Sequence, residues 1–63
     1  MANYGHVFKD KRLEKGLNQR QLAEKLGITQ SAVSNYEAGR SNPRLPTLLK
    51  MTEYLDIRLQ DFK

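Results

Sequence analysis

Residues 19–37 read Gln19-Arg20-Gln21-Leu22-Ala23-Glu24-Lys25-Leu26-Gly27-Ile28-Thr29-Gln30-Ser31-Ala32-Val33-Ser34-Asn35-Tyr36-Glu37. Asn18 precedes them as a strong helix N-cap, and Gln21 follows three positions later, so a capping box is expected at the start of the first segment. Leu22, Ala23 and Leu26 share one face at helical spacing. Gly27 falls where a left-handed residue stops a helix, and Ile28 plugs the turn. Thr29 is placed to cap a second helix, whose inner face carries Val33 and Tyr36. Ala23 is small where two steeply crossed backbones must come close.

The pattern predicts two short helices, Gln19–Leu26 and Gln30–Glu37, in helix-turn-helix geometry. An ordinary helical hairpin also has a glycine turn and amphipathic helices. Only the conjunction separates the two: Ala before Gly, an apolar plug after it, Val further on, and a polar opening to the second helix. A helix of this kind enters the major groove of DNA and offers its N-terminal half to base edges. From Thr29 as cap, those residues are Gln30, Ser31, Ser34 and Asn35. Gln30 is the strongest candidate reader, because its amide both donates and accepts, matching N6 and N7 of adenine. Ser31 is less discriminating and leaves room for a thymine methyl. Asn35 is placed to reach a base or a phosphate.

Working outward, an all-α chain of five helices is expected. The first covers about His6–Lys15, with Phe8, Arg12 and Leu13 inward, and Gly16 ends it. Gly39 stops the third helix, and the loop Gly39–Arg44 follows. The fourth covers about Leu45–Tyr54, with Pro46 in its tolerant first turn and Leu45, Leu48, Met51 and Leu55 spaced for the core. Ile57 is expected to be buried just before a last short helix, about Arg58–Phe62, which turns Leu59 and Phe62 inward. Nothing alternates as a strand would.

Sixty-three residues make a single domain (1–63) with a thin stability margin, since a chain this short buries only about 60% of its unfolded surface. No cysteine is present, so disulfides and thiolate metal sites are excluded. Eleven Lys and Arg against seven Asp and Glu give a net charge of +4, which favours a polyanionic partner. Arg40 and Arg44 flank Ser41-Asn42-Pro43 just after the motif. Arg40, Asn42 and Arg44, with Arg20 and the N–H groups opening the helix at Gln19, are the candidate phosphate contacts. The opening Met1-Ala2-Asn3-Tyr4-Gly5-His6 lacks the basic head and apolar run of a signal peptide, and no segment is apolar over the roughly 20 residues that span a bilayer. A cytoplasmic location is therefore expected.

Several pieces of this chain closely resemble one family: Leu17-Asn18-Gln19, Leu22-Ala23-Glu24-Lys25-Leu26-Gly27, Ser34-Asn35-Tyr36-Glu37-Ala38-Gly39, and Asn42-Pro43 followed by Leu48-Leu49-Lys50-Met51. The family is the lambda-repressor-like (Cro/CI type, XRE-like) helix-turn-helix proteins, and the likeness runs from about Phe8 to Phe62. Lys11-Arg12-Leu13 and Gly16-Leu17-Asn18-Gln19 look most like lambdoid-phage repressors and Cro proteins. The resemblance implies a compact five-helix domain that binds operator DNA as a dimer and regulates transcription. It implies that Gln19 braces Gln30 against a phosphate, and that Arg12 and Glu37 form a partly buried ion pair between helices. Two positions depart from the family pattern: Asp56 stands where Gly is usual, and Arg58 where Ser often caps the last helix.

A single domain of this kind covers half a site, so a homodimer on a pseudo-palindromic operator is expected, formed either already in solution or only on the DNA. The interface is expected after Asn42 and in the last helix, at Pro43, Ile57, Arg58 and Leu59. Catalysis is not expected: His6 is the lone histidine, and neither a nucleophile with a base nor a Gly-rich phosphate loop is present. No cofactor or metal is called for. The rival on the same fold is an antitoxin or protein-interaction module. Members of that kind often lose the polar reading residues or the basic loop, and this chain keeps both.

Overall fold

The computed structural model describes residues 4–62. Four α-helices follow in order: α1 (Gly5–Glu14), α2 (Gln19–Leu26), α3 (Gln30–Ala38) and α4 (Leu45–Tyr54). α3 packs against both α1 and α2, and α4 closes over α2. The fifth element is not an α-helix. Leu59–Phe62 is a four-residue 3₁₀ turn, too short for a regular i→i−4 ladder. Its start is held by the Asp61 carboxylate, which accepts from the Arg58 N–H at 2.8 Å. That bond, with Lys11 nearby, lowers the Asp61 pKa below its ordinary value. The expected inward packing of Leu59 and Phe62 concerns side chains outside those described.

All four helices end in the same way. After each, a residue with positive φ turns the chain back: Gly16 (71°), Gly27 (70°), Gly39 (76°) and Asp56 (55°). The next N–H then returns to a carbonyl five residues earlier: Leu17 to Arg12, Ile28 to Ala23, Arg40 to Asn35, and Ile57 to Thr52, at 2.9–3.2 Å. This is the Schellman stop, which satisfies carbonyls that the helix leaves open. Leu17, Ile28 and Ile57 use the returning position to pack an apolar side chain into or against the core.

Asp56 is the only non-glycine residue with positive φ among those described. The departure from Gly noted in the sequence is thus a local strain of about 1 kcal/mol. Its ion pair with Lys15, at 3.6 Å and largely exposed, returns little. Gly also makes the unfolded chain more flexible, which offsets part of the relief. Asp56→Gly should therefore raise stability by only about 0.5 kcal/mol, or about 2–4 °C in Tm for a domain of this size. A fall in melting temperature would contradict this account.

The core comprises Val7, Phe8, Leu22, Ala23, Leu26, Val33, Met51, Leu55 and Ile57, with Leu17, Ile28, Tyr36 and Leu48 packed against it. Two expected core residues are not in it. Leu13 is 56% exposed and Leu45 66% exposed. At about 100° per residue, Leu13 lies about 140° around α1 from Phe8, outside the stripe that Phe8 and Arg12 define. Leu45 reaches Met51 by two three-residue steps, each about 60° short of a full turn, so it stands about 120° from the buried face. Helix α1 also begins one residue earlier than expected, at Gly5, which is buried. Among the described residues, no helix is long and apolar enough to cross a membrane.

Candidate nucleic-acid interface

Helix α3 is fixed at its start by Thr29. Its backbone is extended, and its Oγ1 accepts from the Ala32 N–H at 3.1 Å. α2 opens on the reciprocal capping box expected from sequence: Asn18 Oδ1 accepts from the Gln21 N–H at 2.7 Å, and Gln21 Oε1 from the Asn18 N–H at 2.9 Å. Both caps set the direction in which each helix starts, and so the crossing of α2 and α3.

Helical geometry sorts the side chains of α3. Val33 is fully buried and Tyr36 packs against the core. On the other side, Gln30, Ser31, Ser34 and Asn35 span an arc of about 140°. Gln30 and Ser31 are exposed, while Ser34 and Asn35 are half-buried. The four residues expected to face bases therefore share one outward face at the beginning and middle of one helix. Arg20, Arg40, Asn42 and Arg44 are all exposed.

Behind that face lies an ion pair. Arg12 Nε donates to Glu37 Oε2 at 2.7 Å, Nη2 to Glu37 Oε1 at 3.0 Å, and Nη1 to the Leu17 carbonyl at 2.8 Å. The side chains of Arg12 and Glu37 are only 8% and 4% exposed. The fork geometry uses every nitrogen of the guanidinium and both carboxylate oxygens, as a buried pair requires. The expected link between α1 and the end of α3 is present.

Gln19 behaves differently from expectation. Its Nε2 donates to Glu37 Oε1 at 3.0 Å, and among the described residues no hydrogen bond joins it to Gln30. A buried carboxylate attracts a third donor more strongly than an exposed neutral amide does. Arg40 also departs from its expected place along the loop. Its Nε donates to Asn35 Oδ1 at 2.9 Å and its Nη2 to Ser34 Oγ at 3.4 Å. Of the expected interface residues, Ile57 lies in the core and offers little free surface. Pro43 is half-buried and Arg58 exposed. Sequence reasoning missed Gly5. A Cβ there would lie 2.5 Å from the Tyr36 carbonyl oxygen and closer still to that of Glu37. Only the crossing of α1 over the end of α3 reveals the need for Gly, although a Gly opening a helix that packs on the motif was a visible signal.

Comparison with known proteins agrees with this architecture. A helix-turn-helix family (HTH_3) matches residues 8–62, and the chain belongs to that lambda-repressor-type family. Among its relatives are HTH-type transcriptional regulators. The SPbeta prophage-derived HTH-type transcriptional regulator YonR of Bacillus subtilis is 37% identical over 86% of this chain and 50% of its own length. Multiprotein-bridging factor 1 of Candida glabrata is 36% identical over 94% of this chain and 39% of its own. The chain thus spans half or less of the length of these two relatives. The crystal structure of the restriction-modification controller protein C.AhdI from Aeromonas hydrophila superposes with a TM-score of 0.83 at 32% identity, over 98% of this chain and 94% of that one. The protein is a helix-turn-helix member of a DNA-binding regulator family, and no catalytic family is indicated.

Proposed function

We propose that this chain is a single DNA-binding unit that represses transcription in the manner of a phage repressor or Cro protein. It occupies a pseudo-palindromic operator as a dimer and lays α3 in the major groove. Gln30, Ser31, Ser34 and Asn35 face base edges, while Arg20, Asn42, Arg44 and the first N–H groups of α2 meet phosphates. The observation that carries this reading is the single outward face those four α3 side chains share, on a helix whose other side is anchored in the core. Gln19 braces Gln30 on a phosphate only by releasing Glu37.

The dimer contact belongs to the region after Asn42 and the last turn, at Pro43, Arg58 and Leu59, joined by Leu45 and Leu49. The last two lie one helical turn apart on α4 and are more than half exposed. Half-sites should then lie roughly one duplex turn, about 34 Å, apart.

Selection of duplexes from a random pool tests the proposal. Wild type should enrich a symmetric site, and Gln30→Ala should relax one base position in each half-site, with a loss of about 1–3 kcal/mol on the preferred sequence. If each subunit neutralises about four to six phosphates, log K should fall with log salt at a slope near −4 to −5 per subunit. An unchanged consensus for Gln30→Ala would remove that residue from the reading face. No binding to any duplex at low salt would favour the second reading, a protein-interaction module. The likeness to a multiprotein-bridging factor keeps that reading in view.

A further inference from the structure

The stop at the end of α3 differs from the other three in one residue. Where Leu17, Ile28 and Ile57 place an apolar side chain, α3 is followed by Arg40. The returning bond from the Arg40 N–H to the Asn35 carbonyl, 2.9 Å, folds the chain back beside the last turns of α3. The guanidinium therefore lies over the reading face, with Nε on Asn35 Oδ1 at 2.9 Å and Nη2 on Ser34 Oγ at 3.4 Å.

A guanidinium only donates. The atom that Asn35 turns toward Nε is therefore its oxygen, and the amide Nδ2 points the other way. The usual reading of adenine by an asparagine requires both ends of the amide, the oxygen accepting from N6 and the nitrogen donating to N7. With one of the two lone pairs of its oxygen taken by Arg40, Asn35 presents chiefly its Nδ2 donors. The remaining N–H groups of Arg40 extend the same donor surface. Among base edges in the major groove, guanine offers two adjacent acceptors, N7 and O6, whereas adenine sets a donor beside its N7.

Resting on the operator reading above, we propose that Arg40 is a positioning residue for specificity: by holding the oxygen of Asn35 it makes this end of α3 select guanine over adenine. Phosphate binding by Arg40 would supply affinity without that choice. Duplex selection with wild type, Asn35→Ala and Arg40→Met separates the two. Asn35→Ala locates the base pair concerned by abolishing preference there. At that pair, wild type should favour guanine over adenine by about tenfold, the low end of discrimination by a good amide contact. Arg40→Met frees the amide, and the ratio should fall to about one or invert, while the Gln30-dependent position stays unchanged.

Uniform weakening by Arg40→Met with an unaltered consensus and a salt slope reduced by about one would overturn the inference and leave Arg40 a phosphate contact. A wild-type preference for adenine at the Asn35 pair, or no change with Asn35→Ala, would also overturn it. If wild type enriches no duplex at all, the operator reading itself fails and this inference falls with it.

Discussion

Arg12→Met should destabilise the protein by about 3–5 kcal/mol, the range for removing one partner of a buried pair. Glu37 would keep its carboxylate, 4% exposed, with the Gln19 amide still donating to it. The Leu17 carbonyl would lose its bond from Nη1 as well. A core this small rarely supplies more than about 3–5 kcal/mol in all, so the variant should be largely unfolded at 25 °C. Arg12→Met combined with Glu37→Leu should be much milder. It removes both charges, and Gln19, only half-buried, turns its amide to water. The pair as a whole contributes little net stability, because desolvation offsets most of the attraction. Thermal unfolding of both variants decides the matter. Equal losses in the single and double variants would show that packing, and not the stranded charge, sets the effect.

Gly5→Ala should cost about 3 kcal/mol, the upper part of the usual overpacking range. Inside an exposed helix the same change gains about 0.5–1 kcal/mol, so propensity and steric terms oppose each other. Sterics wins here because the added carbon meets backbone carbonyl oxygens of Tyr36 and Glu37. A Cβ has no rotamer by which to escape, and those carbonyls belong to α3 itself. Relief requires α1 to lift from the end of α3, which would also disturb the Arg12–Glu37 fork. Denaturant unfolding should show a lower midpoint with an unchanged slope. An unaltered midpoint would mean that α1 shifts outward at no cost.

Where local chemistry decides, the sequence was transparent. Asn18 and Gln21 announce a capping box, Gly27 a left-handed stop, and Ala23 a close crossing, so α2 and its turn follow from short-range rules. The outward grouping of Gln30, Ser31, Ser34 and Asn35 follows from helical period once Val33 and Tyr36 are assigned inward. Burial on α1 and α4 was harder to read. Leu13 and Leu45 are apolar but stand off the arcs that are covered, and which arc is covered depends on neighbours that are distant in the chain. Gly5 is the extreme case, since its reason is a backbone 32 residues away. Gln19 and Arg40 show a second limit. A residue type gives the donors and acceptors available, but competition among nearby partners decides which bond forms. The buried charge of Glu37 took the amide of Gln19, and the fold-back at Gly39 delivered Arg40 to Asn35.

Helix α3 is fastened along its whole length. Thr29 holds its first turn, Val33 is sunk beneath it, Glu37 is clasped from α1 and α2, and the stop at Gly39 seals its end. A probe so restrained should yield little when it docks. On the operator proposed above, any misfit between two such heads and a straight duplex must be absorbed by the nucleic acid, through bending or a change in groove width. Base pairs between the half-sites, untouched by any side chain, would then be discriminated by their stiffness alone.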